Sequence, residues 1–189
     1  MIYDIGACVL QWTQEAEKLW PAAKIYLFDA FDKAAFLYRD YDHHVGVLSD
    51  TDGAEVKWYQ NDACPHGNSY YREVGSRESA ALFPEAGYTP RATRTLDSVV
   101  RERGFALPDL VKIDVQGAER DVIEGGRATL ASARHLIVEM QCVEYNEGAP
   151  KVDTTLPFIT GIGFECVAPK FSDNGPDADY GFVRALTPS

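Results

Sequence analysis

Short runs rich in Ile, Val and Leu recur along this chain, separated by amphipathic stretches of about 10 to 15 residues, and that alternation constrains the fold more than any other feature. Strands alternating with helix-length connections specify a mostly parallel α/β sheet, because a parallel crossover requires a helix-sized link. The pattern predicts seven strands, at residues 2–5, 24–29, 43–48, 110–114, 135–140, 163–167 and 180–186. It predicts helices at 10–20, 30–40, 95–103, 118–130 and 154–161, with Thr95 capping the third and Gly104 ending it. The expectation is a doubly wound sheet with helices on both faces. The last two strands flank a polar turn too short for a crossover, so the last strand should be antiparallel.

Two stretches depart from the alternation. "DGAEVKWYQ" reads as an extra strand after an Asp-Gly turn, and residues 61–94 are rich in Asn, Ser, Tyr, Gly and Pro. A long connection of that kind in a compact domain reads as an inserted substrate or lid region. The whole chain, 1–189, reads as one domain, since 189 residues with 46% apolar content suffice for one core. Its first strand begins at residue 2, an abrupt start that fits a domain taken from a longer chain.

The net charge of −11 repels a phosphate backbone, which argues against nucleic acid and anionic membrane surfaces as partners. No apolar stretch approaches the length of a membrane span, and there is no signal-like start. Cys8, Cys64, Cys142 and Cys166 show no metal spacing and read as reduced thiols of a cytoplasmic protein; two disulfides are the alternative.

Ligands of an open parallel sheet sit beyond the carboxyl ends of its strands. An acid or hydroxyl stands at each of the first five ends: Asp4, Asp29, Ser49 with Asp50, Asp114 and Glu139. Gly6, just past the first strand, permits a positive φ or a close backbone approach. Asp29 follows it by 23 residues, near the spacing at which an acid receives ribose hydroxyls. Cys8 and Gln11 occupy the second and third glycine positions of a dinucleotide loop, so a pyrophosphate cradle is disfavoured. A cationic sulfonium nucleoside suits a field of carboxylates better. Glu119 falls in the first turn of the helix after Asp114, where its charge complements the helix dipole. Lys112 lies inside a strand buried on both faces and must pair with an acid or reach an edge.

These residues resemble the FkbM family of S-adenosylmethionine-dependent methyltransferases over about residues 2–167. "YDIGACVLQWT", "YLFDAF", "TLDSVV" and "KIDVQGAERDVIEGG" are similar to its signature segments, the last being the most specific. Cys8 stands where Asn is usual, Leu10 where a second Gly is usual, and Gln116 where Glu is usual. The resemblance implies a Rossmann-like class I methyltransferase, with S-adenosyl-L-methionine as cofactor and S-adenosyl-L-homocysteine as product. It implies that Gly6 and Ala7 line the methionine moiety, Asp29 holds the ribose, and Ser49 and Asp50 lie near adenine. Asp4, Cys8, Gln11, Ala30, Phe31, Ser69, Asp114 and Val115 complete the expected cofactor contacts. Asn68, Tyr70, Tyr71 and Glu119 are the expected acceptor contacts.

Sugar or polyketide-type hydroxyls are the acceptors the resemblance implies. An alcohol is a poor nucleophile while protonated, so a base or a carboxylate-bound divalent metal should help remove its proton. Asp114 is the first candidate base, His66 the second and Glu139 the third; Asp114 and Glu139 are also the candidate metal ligands. Trp58, Tyr59, Tyr70, Tyr71 and Tyr88 offer aromatic faces for a sugar ring or, equally, lid packing. A nicotinamide oxidoreductase shares the sheet and the ribose acid. A degenerate nucleoside-binding module would account for Leu10 and Gln116.

Overall fold

The structure is a computed structural model that describes residues 1–185. Ten strands and six α-helices run in the order β1 (Ile2–Ile5), α1 (Gln11–Leu19), β2 (Ile25–Asp29), β3 (Asp42–Val45), β4 (Val47–Leu48), β5 (Glu55–Tyr59) and α2 (Arg77–Leu82). They continue with β6 (Tyr88–Arg94), α3 (Leu96–Arg103), β7 (Leu110–Ile113), α4 (Glu119–Gly125), α5 (Arg127–Leu130), β8 (His135–Gln141), α6 (Val152–Gly161), β9 (Phe164–Asp173) and β10 (Asp177–Arg184).

Seven strands form one sheet in the order β3-β2-β1-β7-β8-β10-β9. All neighbours pair parallel up to β8, and β10 inserts antiparallel between β8 and β9, as the short polar turn requires. Leu186, the end of the expected last strand, lies outside the described residues. Alternation divides β1 and β2 between two cores. Tyr3, Ile5, Tyr26 and Phe28 join the cluster under α3, α4 and α6. Ile2, Ile25 and Leu27 join a smaller cluster with Ala16 of α1 and the buried Tyr38. The strand ends are thereby fixed from both faces.

Several elements differ from the sequence expectation, each for a local reason. The strand expected at 43–48 splits at Gly46 into β3 and β4, which belong to different sheets. The helix expected at 30–40 is a 3₁₀ turn, Asp32–Tyr38. It runs between two anchors, the Asp29 carboxylate receiving Phe31 N–H and the Tyr38 hydroxyl donating to the Cys8 carbonyl. The larger rise per residue of a 3₁₀ turn spans that gap. Residues 61–94 are not a bare loop. They carry a 3₁₀ turn at Pro65–Gly67, then α2, capped by Ser76 Oγ on Ser79 N–H, and then β6. β6 pairs antiparallel with the expected extra strand β5 and parallel with β4, making a second, three-stranded sheet. Thr95 Oγ caps α3 and Gly104 closes it in the left-handed region, as expected.

The helix expected at 118–130 breaks into α4 and α5 at Gly125–Gly126. A Cβ at Gly125 would stand 2.1 Å from the Ser49 carbonyl oxygen, so the helix can pass the end of β4 only as glycine. Gly125→Ala should gain about 1 kcal/mol of helix propensity. It should lose about 1–3 kcal/mol to overpacking. A urea titration should therefore show a net loss of stability; an increase would mean that β4 yields at this contact.

Candidate active site

The ends of β1, β2, β4, β7 and β8 converge on a cavity of about 220 Å³. Its lower wall is apolar, from Phe28, Val47 and Leu48, and Trp58 of β5 closes over it. Asp29, Asp114 and Glu139 supply carboxylates, while Pro65, His66, Asn68 and Tyr70 descend from the inserted region. None of the lining residues is Lys or Arg.

Asp29 ties the first two turns together, Oδ2 accepting from Cys8 N–H at 2.7 Å and Oδ1 from Phe31 N–H at 2.6 Å. Burial, together with the nearby Asp114 charge, still raises its pKa. Gly6 adopts φ +92°, and a Cβ there would sit 1.7 Å from the Asp114 carbonyl oxygen. Its backbone approach is therefore to β7, which fixes the position from which Asp114 departs.

The second acidic group is built around Lys112, which is 3% exposed. Its Nζ lies 3.1 Å from Asp114 Oδ2 and 3.3 Å from Asp179 Oδ1, so it pairs with acids, as a buried lysine must. Gln116 Nε2 donates to Asp114 Oδ1 at 3.0 Å and to Glu139 Oε2 at 2.9 Å. Asn174 Nδ2, from the β9–β10 turn, reaches Glu139 Oε1 at 3.1 Å. Burial works against the Asp114 charge, but Lys112 and the hydrogen-bond donors hold its pKa below the ordinary carboxylate value. Burial and the Asp114 charge push Glu139 well above its ordinary value. The opposed shifts make Glu139 the more readily protonated member of the pair.

The remaining sequence candidates occupy distinct places. Cys8, Ala30 and Val115 line the cavity; Cys8 Sγ lies 3.7 Å from His66 Nδ1. Asn68 lines it with Oδ1 accepting from Asn61 N–H at 2.7 Å and a buried Nδ2 that has no partner. The Tyr70 hydroxyl lies 3.2 Å from Ser49 Oγ, and Tyr70 and Tyr71 both donate to Asp121 Oδ2, at 2.8 and 3.0 Å. Asp4, Ala7, Gln11, Phe31, Ser49, Asp50, Ser69, Tyr71 and Glu119 do not line the cavity. Asp4 instead accepts from Thr13 of α1 at 2.5 Å, and Ala7 and Phe31 are core. Gln11 and Asp50 are exposed, and Ser69 Oγ accepts from Tyr71 N–H. Glu119 Oε1 accepts from Val115 N–H at 3.1 Å and Gly117 N–H at 3.0 Å, so its carboxylate holds the turn after β7. Tyr59 and Tyr88 pack on each other with ring centroids 6.0 Å apart.

Phe28, Val47, Leu48 and Gln116 were not among the sequence candidates. Phe28 and Leu48 are the apolar residues just before Asp29 and Ser49, and Val47 opens the two-residue β4. Gln116 stood out as a missing carboxylate, and its donor role emerges only when Glu139, 23 positions on, is brought beside it.

Strand order and cavity together define a Rossmann-like α/β domain with its cavity at the carboxyl ends of the strands. The chain belongs to the Methyltransferase FkbM domain family, which it matches over residues 4–166. It is 41% identical over 76 residues to the 2-O-methyltransferase NoeI of Sinorhizobium fredii, covering 40% of this chain and 30% of that protein. It is 38% identical over 73 residues to the AMB antimetabolite synthetase AmbE of Pseudomonas aeruginosa, covering 38% of this chain and 3% of that protein. The crystal structure of Methyltransferase FkbM from Methylobacillus flagellatus KT superimposes with a TM-score of 0.57 at 11% identity, over 96% of this chain and 42% of that one. The chain thus spans less than a third of the length of these two sequence relatives.

Burial raises Asp4 to about 6 and Glu119 to about 7. A raised carboxyl pKa means that the folded state binds the proton more tightly, so these groups stabilise the fold at acid pH. That contribution is lost as pH rises through the folded values, by up to about 1.4 kcal/mol per pH unit for each group. Urea unfolding of Glu119→Gln and the parent from pH 5 to 9 should show the variant gaining relative stability between about pH 5 and 7, with the gap levelling off above that. Parallel curves would remove Glu119 from this balance.

Proposed function

We propose that the chain is the catalytic part of an S-adenosylmethionine-dependent O-methyltransferase acting on a hydroxyl of a sugar, either a deoxysugar or a glycan. The observation that carries the reading is the two-ended cavity, with an apolar slot at one end and three carboxylates without any lining Lys or Arg at the other. The slot suits a flat nucleobase, and Asp29 suits ribose hydroxyls. Cys8 and Gln11 at the glycine positions of a dinucleotide loop, together with the lack of a lining Lys or Arg, disfavour a pyrophosphate and with it the nicotinamide alternative. The fully formed donor network around Asp114 and Glu139 disfavours a degenerate binding module. The 2-O-methyltransferase relative supports oxygen as the methyl-accepting atom.

When bound, S-adenosylmethionine supplies an electrophilic methyl group on a cationic sulfur. The protein's part is to place the acceptor, exclude water and take one proton. Trp58 and the segment from Pro65 to Tyr70 cover the cavity. Asp114, kept ionised by Lys112, receives the hydroxyl proton as the new O–C bond forms. A weak base is adequate there, because an oxygen that is gaining a methyl group becomes strongly acidic. His66 is the second candidate for that proton and Glu139, whose pKa burial and the Asp114 charge raise, is the third. The acidic mouth favours neutral or cationic small acceptors over nucleic acid.

Calorimetry with S-adenosylhomocysteine and NAD side by side tests the cofactor, and NAD-only binding would end this reading. Asp29→Asn should weaken S-adenosylhomocysteine binding by about tenfold, the cost of weakening one charge-assisted hydrogen-bond set. A screen in which methyl transfer goes only to nitrogen, or only to nucleic acid, would overturn the acceptor assignment.

A further inference from the structure

Where the cavity meets β8, one amide group serves two carboxylates from different strands. Gln116 Nε2 takes Asp114 Oδ1 and Glu139 Oε2, Lys112 takes Asp114 Oδ2, and Asn174 takes Glu139 Oε1. All four carboxylate oxygens therefore face N–H donors, one of them a buried ammonium. A divalent cation would have to compete with those donors, and with the buried ammonium charge, for the same oxygens, and it needs several hard oxygen ligands converging on it. Among the described residues no three His, Cys, Asp or Glu side chains are arranged to hold a metal ion. Position 116 is the third corner that such an arrangement would need.

The backbone at this corner is rigid. Gln116 stands at φ +56°, between Val115 and Gly117, whose N–H groups are both held by Glu119 Oε1. The side chain leaves a fixed turn and reaches both acids in one conformation. Glutamate has the same length as glutamine and the same cost in the left-handed region, so exchanging them changes the chemistry of this corner and not its shape.

We propose that Gln116 is a positioning residue that decides what this wall can bind: its amide clamps Asp114 and Glu139 as a metal-free pair and denies a divalent cation its third ligand. The inference rests on the methyl-transfer reading, in which Asp114 takes the acceptor's proton with no metal in the path. Gln116→Glu should convert the wall into an oxygen-ligand cation site built from three carboxylates.

Manganese(II) binding to the parent, Gln116→Glu and Gln116→Leu, followed by calorimetry and by electron paramagnetic resonance, tests this. The parent and Gln116→Leu should bind no more tightly than millimolar, and Gln116→Glu at least about tenfold more tightly. Parent binding in the micromolar range, or a Gln116→Glu variant no tighter than the parent, overturns the proposal. Should Gln116→Glu fail to fold, the parent still decides. Manganese should not broaden its Asp114 and Glu139 carboxyl carbon resonances at micromolar concentrations, and selective broadening there refutes the proposal. S-adenosylhomocysteine calorimetry on the same samples keeps the two readings apart. Loss of that ligand in the parent would sink the methyltransferase reading whatever manganese does.

Discussion

The Lys112 ammonium is the interaction on which the site depends. It is almost wholly buried in the middle of the sheet, and an unpaired ion there would cost several kcal/mol. Two acids prevent that, and they arrive by different routes. Asp114 lies two residues on, where β7 ends. Asp179 comes from β10, which pairs with β8 in a register that sets Asp179 opposite Glu139. The antiparallel insertion of β10 between β8 and β9 therefore supplies the counter-charge that lets a lysine sit beneath the site. With Lys112 paired from below by Asp179, Asp114 is held toward its ionised form at the cavity wall, and Glu139 beside it is pushed toward its protonated form.

Two ends of different chemistry then follow from strand alternation alone. Phe28 and Leu48 point into the larger core, and their edges form the floor of the apolar slot. Asp29 is the last residue of β2, Asp114 is the first beyond β7, and Glu139 lies near the end of β8. Asp29 links the turns after β1 and β2 through two N–H groups, so the slot and the acidic end cannot move independently. A ligand with a flat apolar ring at one end and hydroxyls and positive charge at the other matches this polarity without rearrangement.

Much of this was legible in the sequence, for a physical reason. Parallel strands buried on both faces must be continuously apolar, and acids at their ends must be turns, so the sheet and Asp29, Asp114 and Glu139 could be read directly. The fold of the inserted region could not. Pro90 within "YTPRATR" argues against a strand, yet β6 tolerates it opposite Lys57 because β4 pairs only with Thr93 and Arg94, so at Pro90 the other side of β6 is an edge. Helix breaks at Gly125 depend on the Ser49 carbonyl, 76 positions earlier, a contact that no local pattern contains. Of the three acids that do not line the cavity, Asp50 is exposed, while Asp4 and Glu119 spend their oxygens on Thr13 and on backbone N–H groups. Sequence position located the turns; the direction of each side chain was set by neighbours far along the chain.

The departures from the family pattern acquire a common physical meaning. Cys8, Leu10 and Gln116 all occupy the left-handed region, at φ +44°, +69° and +56°, where a side chain costs about 1–2 kcal/mol relative to glycine. Such strain persists only where the surroundings enforce it. For Leu10 the enforcement is burial, since its side chain packs with Ala7, Phe31 and Ala34 behind the first turn. For Cys8 it is the Asp29 carboxylate on its N–H and the Tyr38 hydroxyl on its carbonyl. For Gln116 it is the pair of acids that its amide joins. Leu10 and Gln116 thus trade conformational ease for side-chain contacts that glycine could not make, whereas Cys8 is held through its backbone alone.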